Sequence, residues 1–320
     1  MILNYLFIAA LALIALTSLP IWYRSIQRVR LRSSGTASNA LLPARHQIES
    51  PLGLVDVLTV FIVWTLTQAI ALSLTLSLMN LPEGPLSALD AAQQVQLYTG
   101  MASGQAMATL FAVGWLTLRY RHPIRILGTE PCFRLSDLRL AISTFVMIMP
   151  ALLILQWLGS LLVDYQHGTI ELLKDGNNLA ATLLTWTTAV LLAPLAEEIF
   201  FRGILQSWLQ RMTNDQGAVS TGKALFGGFT TNREETGFPT GNQSHSGWLP
   251  IILTSIAFGA VHLGQGLAPL ILFLFSVVLG FLYRQTGSIR VCVVLHMLLN
   301  GYSMFWVTLD LFINGNASTP

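Results

Sequence analysis

The sequence predicts an all-α protein: a polytopic transmembrane helical bundle of about eight spans, with both termini outside. Three observations predict it. Of 320 residues, 53% are hydrophobic and only 10% are charged, against about 25% charged in soluble domains; the mean hydropathy is +0.62. Apolar runs recur at about the ~20 residues a helix needs to cross a ~30 Å hydrocarbon core. Lys and Arg fall almost wholly in alternate loops.

The runs lie at 3–22, 54–79, 101–118, 139–163, 179–209, 248–266, 267–283 and 289–313. The first lacks a basic n-region and a small-residue cleavage site, so it reads as a retained helix rather than a signal peptide. The sixth and seventh are separated only by 264-GQG-266. They read either as a tight helical hairpin or as one broken, re-entrant element.

Orientation follows from the basic residues. The loop after the first span carries Arg24, Arg28, Arg30, Arg32 and Arg45; the loop after the third carries Arg119, Arg121, Arg125, Arg134 and Arg139. Arg211, Lys223 and Arg233 follow the fifth span, and Arg284 and Arg290 the seventh. Of the 17 Lys and Arg, only Lys174 falls on the other side and only Arg202 inside a span. The basic loops are therefore expected in the cytoplasm. The longest, 211–247, is rich in Gly, Thr, Ser and Asn and reads as a flexible cytoplasmic segment.

Composition excludes several classes. Two cysteines, Cys132 and Cys292, make neither a disulfide framework nor a cysteine-rich metal site. The net charge of +2 and the absence of a basic domain speak against nucleic acid as a partner. Membrane lipids and a membrane-associated protein or peptide are the partners expected.

The informative stretch is 194-PLAEEIFFRG-203, which sets three ionisable side chains in an apolar span. Each costs roughly 2.5–3.5 kcal/mol at the bilayer centre on insertion scales. Glu198 and Arg202 are four apart and can pair on one helix face. Glu197 has no such partner, because its neighbours three and four residues away are Pro194, Ala193, Phe200 and Phe201. It needs a partner from another helix, a proton, or water. Pro194 cannot donate to the Val190 carbonyl and tends to kink the helix.

Of six histidines, His46, His122, His167 and His245 fall in expected loops. His262 and His296 fall within spans, and Asn300 follows His296 by one turn. At 1.5 Å per residue, His262, His296 and Glu197 lie roughly 20, 10 and 20 Å from the cytoplasmic ends of their spans. One site in the cytoplasmic half to middle of the membrane accommodates them. A carboxylate and an imidazole can together deprotonate a water. A second imidazole and an amide N–H₂ can donate to a developing oxyanion. The set fits amide hydrolysis within the membrane. There is no serine nucleophile elbow and no His-Glu-x-x-His zinc motif.

The order Glu-Glu-x-x-x-Arg (197–202), Phe-x-x-x-His (258–262) and His-x-x-x-Asn (296–300) resembles the CAAX protease and bacteriocin-processing family, which includes bacterial Abi-type membrane proteins. The resemblance covers about 180–305. The family's glutamate protease mechanism implies Glu197 as general base, with His262 its partner on the catalytic water. It implies His296 and Asn300 as the oxyanion hole, Glu198 and Arg202 as an architectural ion pair, and Phe258 as packing beside the site. No cofactor and no metal are implied, with a zinc protease as the alternative. The chain then divides into N-terminal spans without family motif (1–140) and a protease core (141–320) that contains the 211–247 loop. The resemblance also implies an integral, multi-pass protein of the bacterial inner membrane.

Two other readings remain beside that of an intramembrane endopeptidase acting on a membrane-associated substrate, lipidated or not. One is a non-catalytic family member serving as a membrane binding or immunity partner. The other is a proton-linked transporter, which would call for symmetric polar spans. The first four spans hold only Asp56 well inside a boundary.

Overall fold

Apolar sequence of membrane length folds here into helices packed side by side. The computed structural model describes residues 2–32, 50–79, 89–120, 127, 134–161, 179–214, 225–227 and 247–315. Helix α1 is Ile2–Arg32, α2 Leu54–Leu78, α3 Ala91–Arg119 and α4 Leu135–Ser160. Helix α5 spans 179–214 without a break, followed by α6 Leu249–Ala260, α7 Ala268–Thr286 and α8 Ile289–Gly315. Among the described residues there is no strand, and seven of these helices are long and apolar enough to cross a membrane. The all-α polytopic bundle is therefore the observed fold.

The exception is α6. Its 12 residues rise only ~18 Å, too short to cross the hydrocarbon core. A tight turn follows, in which Gly264 and Gly266 take φ of +94° and +59°, conformations that glycine adopts at little cost. Helix α7 then returns against α6. At Gly259 an added Cβ would stand 2.8 Å from the Pro269 carbonyl oxygen. The two elements are thus a tight hairpin with one short arm, so one of the eight expected spans is less than membrane length. Gly287 ends α7 in the left-handed conformation, its N–H donating to the Tyr283 carbonyl at 2.8 Å.

Helix α1 lies on α4, where the Trp22 indole N–H donates to the Met147 carbonyl at 3.2 Å. Helices α2 and α3 pair with each other and pack against α5. Their buried charge, Asp56, is fully satisfied. It accepts from the Gly53 N–H at 2.8 Å, the Trp115 indole at 2.9 Å and the Tyr120 hydroxyl at 2.6 Å, and Arg119 Nε lies 2.8 Å away. It closes the N-terminal cap of α2 and fixes the end of α3 against it. Asp137, buried in the first turn of α4, faces Arg290 of α8 at 3.6 Å. A division at 140/141 would cut through the opening turns of α4.

The interior is built on Phe201, Phe258, Phe275, Leu279, Ile251 and Leu295, all essentially fully buried. They come from α5, α6, α7 and α8, the four helices whose junction holds the motif residues. Helix α5 continues past the expected loop start at 211, to Asn214. Most of the 211–247 segment, read above as flexible, lies outside the described residues, as do His46, His122, His167 and His245. Its described piece, 225–227, returns to the α2–α3 end, where Arg119 donates to the Phe226 carbonyl.

Candidate functional site

Helix α5 is not uniform. Thr187–Leu192 and Ile199–Gln206 are π-helical, and Ala193–Glu198 between them is α-helical. The first widening adjoins Pro194. With no N–H to continue the ladder there, the helix shifts register, and the Ala193 N–H donates to the Thr188 carbonyl five residues back. Such π segments loosen the backbone ladder and concentrate at functional sites. Here they flank Glu197 and Glu198, the expected kink being realised as a change of helix type.

Glu198 and Arg202 remain one turn apart and both are wholly buried. Arg202 Nη1 donates to Glu198 Oε1 at 3.2 Å, and Nε lies 3.1 Å from Oε2. The guanidinium also donates to Ser276 Oγ at 2.7 Å and to its carbonyl at 3.3 Å, and stacks 4.8 Å above the Phe258 ring. The expected ion pair is present, with a wider set of partners. Glu198 Oε1 also faces His296 Nδ1 at 2.9 Å, a link that helical spacing along α5 alone does not reveal.

His296 therefore stands between two carboxylates. Its Nε2 lies 3.9 Å from Glu197 Oε2. The ring is 3% exposed, walled edge-on by Phe258 and Phe275 with centroids 5.8 and 5.5 Å away. Glu197 keeps 15% of its side chain exposed, and its Oε2 has no hydrogen-bond partner among the described residues. The cross-helix partner that Glu197 needs is thus His296, through space rather than through a hydrogen bond.

His262 sits two residues beyond the end of α6, in a half-buried position. Its Nδ1 lies 2.8 Å from the Phe258 carbonyl oxygen. A carbonyl only accepts, so Nδ1 carries the proton and the neutral ring has its lone pair on Nε2. Phe258 thus supplies both the floor of the site and the acceptor that sets this tautomer. Asn300, half-buried on α8, donates its amide N–H to the Ala189 carbonyl at 2.8 Å. That carbonyl lies in the first π segment, where the ladder is altered. One of the two amide protons is used there, leaving the other.

The structure so places all seven expected residues around one junction of α5, α6 and α8. Sequence reasoning missed Ser276, Gln206 and Phe275. A usable signal existed: 198, 202, 206 and 210 are all polar at four-residue spacing inside a span, and Ser276 and Gly280 repeat that spacing on the helix opposite. Among the described residues no group of three His, Cys, Asp or Glu is gathered as metal ligands would be.

The family model described as Type II CAAX prenyl endopeptidase Rce1-like matches residues 179–302. The match begins with α5 and ends in α8, taking in the three motifs and every residue of this junction, and it bears out the family resemblance over that stretch. No curated protein and no solved structure matches the chain.

Proposed function

We propose that this multi-pass membrane protein is a CAAX-type intramembrane endopeptidase in which Glu197 activates water. The observation that carries the reading is the contrast between adjacent glutamates. Glu198 is sealed at 0% exposure between Arg202 and His296, whereas Glu197 keeps 15% of its side chain exposed, has no hydrogen-bond partner at its buried Oε2 among the described residues, and has His296 Nε2 3.9 Å away. A base must have a free lone pair within reach of the proton it takes.

Glu197 removes a proton from a water that His262 Nε2 helps to hold. The hydroxide attacks the scissile carbonyl carbon, and the carbonyl oxygen takes the negative charge. His296 Nε2–H and the second Asn300 amide proton donate to that oxygen. Collapse of the tetrahedral intermediate breaks the C–N bond, and the leaving nitrogen takes the proton from Glu197. General-base assistance of this kind contributes about 10²–10⁴-fold, and each oxyanion donor about 10²–10³-fold. No metal is required. The substrate is a membrane-associated protein, lipidated where it must be held at the bilayer. The basic loops face the cytoplasm, both termini face outward, and the membrane is a bacterial inner membrane.

The test compares peptide termini in membranes of host cells carrying wild type or Glu197→Gln at equal abundance. Termini that vanish in Glu197→Gln and in His262→Ala support the reading. Identical termini, with the variant properly inserted, reject it and favour a binding or immunity partner.

A further inference from the structure

A row of buried polar side chains leaves the site along α5 and is not used by the chemistry above. Glu198, Arg202, Gln206 and Gln210 recur at four-residue spacing, at 0%, 0%, 0% and 7% exposure. The row runs from the Glu198–Arg202 pair through the second π segment to the last turns of α5. Gln206 donates through Nε2 to the Gly280 carbonyl at 2.8 Å. Its Oε1, however, has no partner among the described residues, and neither has Gln210 Nε2.

The facing helix, α6, contributes two more such groups. Thr254 and Ser255 are 1% and 0% exposed, and neither hydroxyl has a partner among the described residues. This is unusual within the protein itself. Thr185, Thr188 and Thr286 each donate to the carbonyl four residues back, the ordinary solution for a helical hydroxyl in an apolar setting. Thr254 and Ser255 do not take it.

These groups converge. Arg202 lies over Phe258, while Gln206 Oε1 and Ile251 both meet at Gly280, where an added Cβ would stand 3.0 and 2.9 Å from them. Advancing from 202 to 206 on α5 thus corresponds to retreating from 258 to 251 on α6. Thr254 and Ser255 fall between those levels. Ile251, Thr254, Ser255 and Phe258 recur at helical spacing on α6, so the two hydroxyls fall on the stripe whose ends, Ile251 and Phe258, meet the level of Gln206 and Arg202. Buried polar groups left without protein partners are satisfied by internal water, which makes about three hydrogen bonds each.

We propose that this seam between α5, α6 and α7 is a water-binding site: a file of bound water held by Gln206, Thr254, Ser255 and Gln210 that joins the Glu198–Arg202 pair to the Gln210 end of α5. The bound water satisfies the four side chains and extends the hydrogen-bonded array around His296 toward the cytoplasm. The binding site stands independently of the protease reading; only its use to replenish the water consumed in hydrolysis rests on it.

X-ray radiolytic footprinting of the full chain in lipid nanodiscs tests the seam, since pulses generate hydroxyl radical from bound water and mark adjacent side chains. Ile251 and Tyr283, at 0% and 5% exposure, line the seam, and Met149, at 1% on α4, serves as the dry control. Tyr283 lies on α7 one turn beyond Gly280, its hydroxyl 2.7 Å from Ser207 Oγ, the neighbour of Gln206. Modification of Ile251 and Tyr283 with Met149 untouched is expected, and Thr254→Val/Ser255→Ala should lower it severalfold. Seam residues as unreactive as Met149 in the wild type overturn the proposal. So does a double variant that gains thermal stability with an unchanged footprint, because its hydroxyls then faced no water. The footprint is read in Glu197→Gln as well, so it survives if proteolysis is never found. Where cleavage is measured, the double variant should lower kcat severalfold with KM unchanged.

Discussion

His296 Nδ1 lies 2.9 Å from Glu198 Oε1 while its Nε2 looks at Glu197 Oε2 from 3.9 Å. A single imidazole thus separates two carboxylates that are neighbours in the chain. The short contact locks the ring, since Nδ1 must donate to Glu198. The long one leaves Glu197 its freedom. The difference in surroundings between the two glutamates is set by this ring and by Arg202, whose guanidinium pairs with Glu198.

The glutamates should therefore differ in what their loss does to stability. Glu198→Gln leaves Arg202 and His296 facing a neutral amide at 0% exposure. Removing one member of a buried ion pair costs about 3–5 kcal/mol, so a large drop in the thermal midpoint is expected in nanodiscs. Glu197→Gln removes a charge with no hydrogen bond at Oε2 and should leave the midpoint near that of the wild type. Equal loss in both variants would mean that Glu197 is structural.

Much of this was legible in the sequence, for identifiable reasons. Charged residues in lipid are costly enough that Glu197, Glu198 and Arg202 announce a site, and fixed helical spacing pairs Glu198 with Arg202 and places Asn300 one turn beyond His296. The π segments were not legible: Pro194 signals a disturbed ladder, but whether it yields a kink or a register shift depends on what caps the freed carbonyls, and Asn300 does so from another helix. The short arm at α6 was hidden because apolar residues in 261–267 continue the hydropathy of the helix while glycine geometry turns the backbone. Partners such as Ser276 and Phe275 depend on how α7 docks, which periodicity along a single helix cannot specify.

Metal removal provides a separate check. The proposed chemistry gives every proton transfer to Glu197 and places oxyanion donors on His296 and Asn300. Turnover of a cleaved substrate should then be unchanged after treatment with a strong zinc chelator and dialysis. Activity that falls at least tenfold and returns on adding zinc would establish the metalloprotease alternative.

At the end of α3, Tyr120 gives a pH prediction. Burial, and then its hydrogen bond to Asp56, push its phenol up to about 12 from an ordinary value of 10. The folded protein thus favours the neutral phenol more than the unfolded chain does. The stabilisation this represents is fully present below pH ~10 and is lost as pH rises through about 12. Tyr120→Phe should lower the thermal midpoint at neutral pH and flatten its decline between pH 10 and 12. An unchanged alkaline slope would show that this phenol does not govern it.

Asn300 carries two loads in this reading, and they separate experimentally. Its amide donates to the Ala189 carbonyl at 2.8 Å, which braces the π segment ahead of Glu197. In the proposed reaction its second proton meets the oxyanion. Asn300→Asp is uninformative, because a carboxylate would repel both acceptors, so the informative change is Asn300→Ala. If the amide stabilises the transition state, kcat should fall about 10²–10³-fold with KM little altered. Bracing alone predicts a different pattern: a lower thermal midpoint, with kcat reduced only in proportion to the folded fraction. A measured loss of kcat at a temperature where the variant is fully folded therefore assigns the second proton to catalysis. Retained kcat under the same conditions removes Asn300 from the oxyanion hole and leaves His296 to carry it.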